Sequence, residues 1–561
     1  MEYRAIQECS VKSRLVRAKN LDVTWGHWFL LLGLLLFASG AMPLRDEIVL
    51  PEMLAIELPK PQMTEIAPTE APLQELLESA KAGAFKVTHD RVKPLQIGGT
   101  QVTWTAWDGA PGQSRARATK SAYVYVLPFG QTPIGVSGND HATAGNQGAK
   151  VVRDAAEKIH AAWLDAARPG QGYHILYRRG VQDSSSGAVT WETGAIPVSD
   201  GRSESWGSYV AIEAGENAIH FVWSTPDTAR YRRLLLTGTE WKFEPIRNTR
   251  AAGEWHDNGP DIAVRGDNEI HILTPTGNYA VSKNGGLTWV VEKLPIPPGN
   301  RMKGPSLAID SLGNAHFAFI VQVRNAQDWS YSKPNRGYWE LRYVRRQAGG
   351  DWLDAQNVLA SFPAWNDPKN DWDILSDWPH IAVDKNNNIH LAWHGTVNTH
   401  IFGNDETFYI RRPTIADGRW GAWDPPRSLH PLNSAKGEYY SFAPSITFDE
   451  SGDLAIAVVF FDTTDGEHLL DYDARVLRSG NVEAAPIVLS RLARMTSAGG
   501  KRQEALSSWF PIAGPRLFRH PNGRVWLDVL TTVATPEQHK SPHLVVYERT
   551  EVTNYLRKPA R

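Results

Sequence analysis

The residues of this chain able to do chemistry are the polar and aromatic side chains that interrupt an otherwise regular β pattern. Glu438 stands beside Tyr439 and Tyr440, and Asp377 beside Trp378. A carboxylate next to a phenol, or an imidazole such as His256 or His394, is suited to general acid–base work. Arg230, Arg301, Arg324 and Arg516 supply guanidinium forks, which match a carboxylate through two parallel hydrogen bonds. Trp365, Trp372, Trp378 and Trp509 supply flat apolar faces. The first three belong to an insertion, residues 325–378, that also carries Trp329, Tyr331, Tyr338, Trp339, Asp367 and Asp373. Aromatics interleaved with Asp and Asn suit a sugar platform, because a pyranose offers C–H faces to stack and hydroxyls to bond. The same composition suits a lid whose tryptophans bury one another. Asp462, Asp465 and Glu467 cluster in one loop, which reads either as a Ca²⁺ site or as a solvated acidic loop. No other cofactor is called for, and no metal ligand set is assigned.

The elements that must position these groups are short strands in pairs. HIAVDKNNNIHLAWHG, from His380 to Gly395, is two apolar runs separated by Asp384 to Asn388. Asp and Asn bond their own backbone and tolerate left-handed φ, so this is a tight turn. The same pattern returns at KVVRDAAEKIHAAWLD from Lys150, YVAIEAGENAIHFVWS from Tyr209, DIAVRGDNEIHILT from Asp261 and SLAIDSLGNAHFAF from Ser306. Looser copies follow at Ser445 and Arg516. About seven copies at intervals of roughly 45 to 75 residues are the spacing of β-propeller blades with loop insertions. A third strand follows each pair, and a fourth carries an aromatic: Trp191, Trp241, Trp289, Trp352 or Trp420. The expected fold is thus all-β, a propeller most simply of seven four-stranded blades, with six or eight as alternatives, over residues 99–561. The strands from Thr100 and Ser121 are expected to pair with the last blade. The recurring histidines (His160, His220, His271, His316, His390) and the arginine pairs on third strands read as scaffold, because they return in register. Function is expected instead where the repeat is broken.

Residues 1–24 are basic, and Trp25 to Leu44 contains no Asp, Glu, Lys or Arg. A stretch of about 20 such residues is long enough to span a bilayer. Basic before and acidic after places residues 1–24 in the cytoplasm and the rest on the far side of the membrane. The expectation is a single-pass anchor over 25–44. A cleaved signal, leaving a secreted or periplasmic protein, is the alternative. Residues 45–98, rich in Pro and Glu, read as a disordered stalk with a short helix over Pro72–Phe85. The formal net charge of −2 gives no field that would recruit nucleic acid. The single cysteine, Cys9, excludes an internal disulfide.

Ser282-Lys283-Asn284-Gly285-Gly286-Leu287-Thr288-Trp289 resembles the Asp-box turn, S-x-D-x-G-x-T-W, of the sialidase-like (BNR-repeat) superfamily, with Asn284 in place of Asp. Ser184 to Trp191 resembles a decayed copy. In that superfamily the turn is scaffold on the face opposite the active site. The resemblance implies a glycoside hydrolase acting on acidic glycans. Its arginine clamp would draw on Arg324, Arg516 and Arg230 or Arg301, and its Tyr–Glu pair on Tyr439 and Glu438. A second reading is a polysaccharide lyase on uronic-acid glycans, since Trp255 to Pro260 resembles a lyase lead-in. Its residues would be His256, His394, Tyr439 and Arg324. A third reading is a non-enzymatic module that binds a glycan or a protein.

Overall fold

A computed structural model of the chain describes residues 53–57, 65–69, 73–74, 77, 86–90, 93–96, 98–107, 111, 115–127, 130–139, 142–143, 148–166, 172–202, 204–205, 208–237, 240–251, 259–296, 301–323, 338–362, 376–396, 405–415, 419–428, 439–448, 454–462, 469–477, 496–498, 501–503, 513–533 and 543–553. The described residues of a small compact unit fall within Glu78–Thr88 and Trp104–Lys120, where the Trp107 indole donates to Thr88 Oγ1 at 2.8 Å. A large unit covers Pro51–Leu77, His89–Thr103 and Ser121–Arg561.

In the large unit each copy of the repeat folds into its own antiparallel sheet. The first sheet runs from Val151–Arg153 through Ile159–Ala166 and Tyr173–Gln182 to Val189–Trp191. The second to fifth begin on Val210–Ala214, Asp261–Arg265, Arg301–Ile309 and Ser376–Val383, and each adds its next three strands in chain order. The sixth is Tyr439–Phe448, Leu454–Asp462 and Leu469–Leu477. The seventh is Ala513–Arg519, Val525–Val533 and His543–Glu551, with Gln131–Ser137 as its fourth strand.

The expected propeller is corrected by this topology. Each sheet is an open run of strands, none closes into a true propeller or barrel, and the sixth has three strands among the described residues. Consecutive sheets meet through side chains and isolated hydrogen bonds rather than a shared ladder. The first strands of the sheets pack on one another in order, and Ala513–Arg519 packs on Val151–Arg153. The strand that joins the last sheet is also not one of the two expected. Gln131–Ser137 takes that edge, where Pro133 is tolerated because the ladder is irregular between Val545 and Val546. Ala116–Leu127 instead pairs in parallel with Met53–Glu57, matching Tyr123 to Met53 and Leu127 to Glu57. Part of the expected stalk is therefore strand. Of the expected short helix only Leu73, Gln74 and Leu77 are described, all with helical backbone.

The single-pass anchor is likewise corrected. Among the described residues no helix is long and apolar enough to cross a membrane, and residues 25–44 lie outside them.

The recurring side chains explain how the sheets hold together. In five sheets the second-strand histidine meets the third-strand tyrosine. His160 Nδ1 lies 2.7 Å from Tyr177 Oη, His220 2.8 Å from Tyr231, His316 2.7 Å from Tyr343 and His390 2.7 Å from Tyr409, and His271 bonds Tyr279. The acid of the preceding turn takes the other ring nitrogen, at 3.2 Å for Asp154 and Asp310 and 3.3 Å for Asp384. Burial alone would raise Asp154, Asp310 and Asp384. Their bonds to the histidine and to turn N–H groups outweigh it and hold all three low.

A tryptophan that follows the third strand then covers the preceding sheet. Trp241 stands edge-on to His160 at 5.2 Å, Trp289 to Tyr231 at 5.3 Å, Trp420 to His316 at 5.3 Å and Trp191 to Tyr547 at 5.1 Å. Such pairs add about 0.5–1.5 kcal/mol beyond the area they bury. Third-strand arginines reach the same way. Arg178 donates to Ile134 O at 2.7 Å, Arg232 to Val198 O at 2.6 Å, and Arg346 pairs with Glu292 at 2.6 Å. The histidines and paired arginines are therefore engaged in scaffold contacts, within a sheet and between neighbours.

Candidate functional site

Six of the repeat copies begin at one register position, two residues before the one opposite the second-strand histidine or its counterpart; in the second sheet that position is Ala211, two residues past Tyr209. Lys150 and Tyr209 immediately precede the first strand of their sheets and Asp261 opens its own, whereas Ser306, His380, Ser445 and Arg516 lie inside Arg301–Ile309, Ser376–Val383, Tyr439–Phe448 and Ala513–Arg519; these seven are the heads of the repeat copies. In five of them the preceding residue is proline: Pro260, Pro305, Pro379, Pro444 and Pro515. Proline has no N–H to give a ladder. In four sheets the register duly shifts there, between Lys303 and Ser306, Asp377 and His380, Phe442 and Ser445, and Ala513 and Arg516. A bulge of this kind re-aims the residue that follows it.

These heads are polar and mostly buried, and several are tied to the next sheet. Asp261 Oδ2 accepts from Leu307 N at 2.7 Å and from Ser306 Oγ at 3.2 Å. Ser306 Oγ in turn accepts from Ile381 N at 3.2 Å, and His380 Nδ1 from Ile446 N at 3.2 Å. Arg516 crosses further. Its Nη2 donates to Glu213 Oε2 at 2.7 Å, joining the seventh sheet to the second. The strands carrying these two residues each pack on Val151–Arg153, the strand that follows Lys150.

The electrostatics set this group apart. Lys150 is 1% exposed and its Nζ donates to Gly148 O at 2.7 Å. Burial pushes its amine down to about 7; the negative charge of Asp261 opposes that and the positive charge of Arg516 adds to it. Burial pushes Asp261 up to about 7 against the N–H groups of Leu307 and Ile262, the Ser306 hydroxyl and the Arg516 charge. Gly148 is required beside the lysine, since a Cβ there would lie 2.2 Å from Ala211 Cβ. An amine able to give and take a proton near neutrality, next to a guanidinium a quarter exposed, can bind an acid and move a proton.

Of the residues nominated from sequence, Arg516 falls in this group. Arg230 lies on the third strand of the second sheet, opposite Trp223, with a buried Nε that has no partner among the described residues. His394 is buried in the fifth sheet, directly across from Asp377 on one side and Thr407 on the other. Tyr439 pairs in register with Asp462, and Arg301 with Gln322; Trp378 lies on the first strand of the fifth sheet. The side chains of Asp377, Trp378, Tyr439 and Arg301 are not described. Glu438, His256, Arg324, Trp365, Trp372 and Trp509 lie outside the described residues, as do Asp465 and Glu467 of the acidic loop. Among the described residues no group of three or more His, Cys, Asp or Glu could hold a metal ion. Sequence reasoning missed Lys150, Asp261 and Glu213. The signal available for the first two was their alignment with the other strand heads.

The turn at Ser282 has the geometry its sequence implies. Ser282 Oγ accepts from Gly286 N at 2.9 Å, Asn284 Oδ1 accepts from Thr288 N at 2.9 Å, and Gly285 and Gly286 have φ of 68° and 83°. It is far in register from the strand heads and forms part of the scaffold.

No protein-family model matches the chain, and no curated protein does. Among solved structures it is similar to an ulvan lyase of polysaccharide lyase family PL25, at 9% identity over 74% of this chain and 95% of that one, with a TM-score of 0.42. It is similar to polysaccharide lyase Uly1 at 10% identity over 72% and 90%, TM-score 0.37. It is also similar to the α-L-arabinofuranosidase Arb93A from Fusarium graminearum at 11% identity over 76% and 98%, TM-score 0.36. These are distant likenesses among all-β folds and carry nothing about the reaction. The sialidase-like hydrolase is corrected at its arginine clamp: Arg516 is held by Glu213.

Proposed function

We propose that the chain acts on uronic-acid glycans by β-elimination, as a polysaccharide lyase. The observation that carries this reading is Arg516, a guanidinium a quarter exposed on the first strand of the seventh sheet, within reach of whose charge lies the buried amine of Lys150. Elimination from a uronate needs two things. The carboxylate must be neutralised, which acidifies the C5 proton, and a base must take that proton. The Arg516 fork suits the first task. The neutral Lys150 amine suits the second, because a base works best with a pKa close to the working pH. The leaving oxygen at C4 departs as the C4–C5 double bond forms, and the C5 proton goes to the amine.

The test is to incubate the purified chain with glucuronate-, galacturonate- and iduronate-containing polysaccharides and with neutral glycans. Ultraviolet absorbance of an unsaturated uronyl product from an acidic glycan alone is the expected result. New reducing ends without that absorbance, or no change with any of them, would refute it.

A further inference from the structure

Glu213 is the feature this reading does not use. Its carboxylate sits 2.7 Å from Arg516 Nη2, with both side chains 26% exposed. Buried ion pairs elsewhere differ: Arg153 and Asp528, which clamp the seventh sheet to the first, are 4% and 0% exposed. Exterior pairs differ too, since Arg179 on Tyr173–Gln182 meets Glu192, the residue after Val189–Trp191 of the same sheet and thirteen residues away in the chain. The Arg516–Glu213 contact instead spans 303 residues and two sheets, beside two groups, Lys150 and Asp261, that burial holds close to losing their charges.

We infer that Glu213 is an internal occupant of a carboxylate-binding site on Arg516, and that the carboxylate of an acidic sugar enters by displacing it. A guanidinium fork has one best face for a carboxylate, and Glu213 holds part of it through its contact at Nη2. Solvent reaches both partners, so the exchange needs no opening of the core. Glu213 sits near the end of Val210–Ala214, and its Oε1 also accepts from Ala214 N at 3.2 Å. That bond gives the carboxylate a second place to rest when it leaves the arginine. The pair occupies the fork against neutral sugars and leaves it open to a competing acid. This assignment rests on the proposed action on uronate glycans for its ligand class, but not on turnover.

The experiment is calorimetric titration of the full chain and of Glu213→Gln with a glucuronate-containing oligosaccharide and with its carboxyl-reduced, neutral counterpart. Glu213→Gln should bind the acidic sugar about fivefold more tightly, the factor matching the upper end of what a part-exposed ion pair is worth. The neutral sugar should not respond. Arg516→Gln should lose the preference for the acidic sugar altogether. Glu213→Ser provides a second removal of the carboxylate, and unfolding midpoints of all variants show that the fold is kept. Unchanged or weaker binding of the acidic sugar by both folded Glu213 variants would overturn the inference, as would an acid preference that survives Arg516→Gln. Binding gain without any unsaturated product would sink the lyase reading and leave this assignment standing.

Discussion

Breaking the clasp between the last sheet and the first should cost the fold a large part of its stability. Arg153 Nε lies 2.6 Å from Asp528 Oδ2 and Nη2 lies 2.9 Å from Oδ1, the bidentate arrangement. Tyr547 Oη donates to Asp528 Oδ1 at 2.7 Å, and the guanidinium lies 4.4 Å from the Phe518 ring centre. Burial works against the Arg153 charge, and Asp528 outweighs it. Asp528→Asn keeps the shape but leaves that charge buried without its partner. Such a loss costs about 3–5 kcal/mol, a large share of the roughly 5–15 kcal/mol that holds a typical domain folded. Urea unfolding followed by tryptophan fluorescence reads it directly. The triple change Arg153→Met, Asp528→Leu, Tyr547→Phe removes the charges and the orphaned hydroxyl together, and should recover most of the loss. A deficit below about 1 kcal/mol in Asp528→Asn, the range of an exposed pair, would refute the reasoning that this contact ties the last sheet to the first.

Three further outcomes are expected. Tyr343→Phe should destabilise by about 1–3 kcal/mol, because His316 Nδ1 then has no partner in a fully buried site; urea midpoints check it. Stability should fall as pH drops below 6.5: burial holds His220 at about 3 and also lowers His160, His271 and His316. His220 stays neutral in the fold while the unfolded chain takes up a proton, which contributes a loss of about 1.4 kcal/mol per pH unit below 6.5, and the other three rings act in the same direction. Equilibrium unfolding between pH 7 and 5 measures it, and a rise in stability over that range would contradict it. Gly286→Ala should destabilise by at least about 1 kcal/mol, since φ is +83° and a Cβ would lie 2.3 Å from Tyr231 Cε1; thermal unfolding is the readout.

The strand pairs were legible because their alternation and turn chemistry agree. The sequence around His380 reads as two strands about a turn at Asp384 to Asn388. The structure has Ser376–Val383 and Ile389–Thr396, with Asp384 Oδ1 accepting from Asn386 N and Asn388 N and Asn387 at φ 61°. The scaffold role of the repeated histidines was legible for a related reason: a group that returns in five sheets answers to the fold. Closure was not legible, because spacing along a chain specifies the units and not the way they join. The strand at Gln131–Ser137 carries a proline and a weak apolar pattern, so it gave little signal as the edge of the last sheet. Lys150 was hidden by its type, since a lysine before an apolar run reads as a solvated strand entrance. Ala211 and Pro260, distant in the chain, crowd Gly148 two residues before it, and no local pattern records that.

The central claim is that the amine of Lys150 takes a proton from a uronate held by Arg516. The most direct measurement is the rate of unsaturated uronyl release by Lys150→Met, a change of similar volume, compared with the unaltered chain at equal unfolding midpoint. Loss of the base should slow release by about 10²-fold or more. A folded Lys150→Met variant that releases product at the original rate would contradict the account.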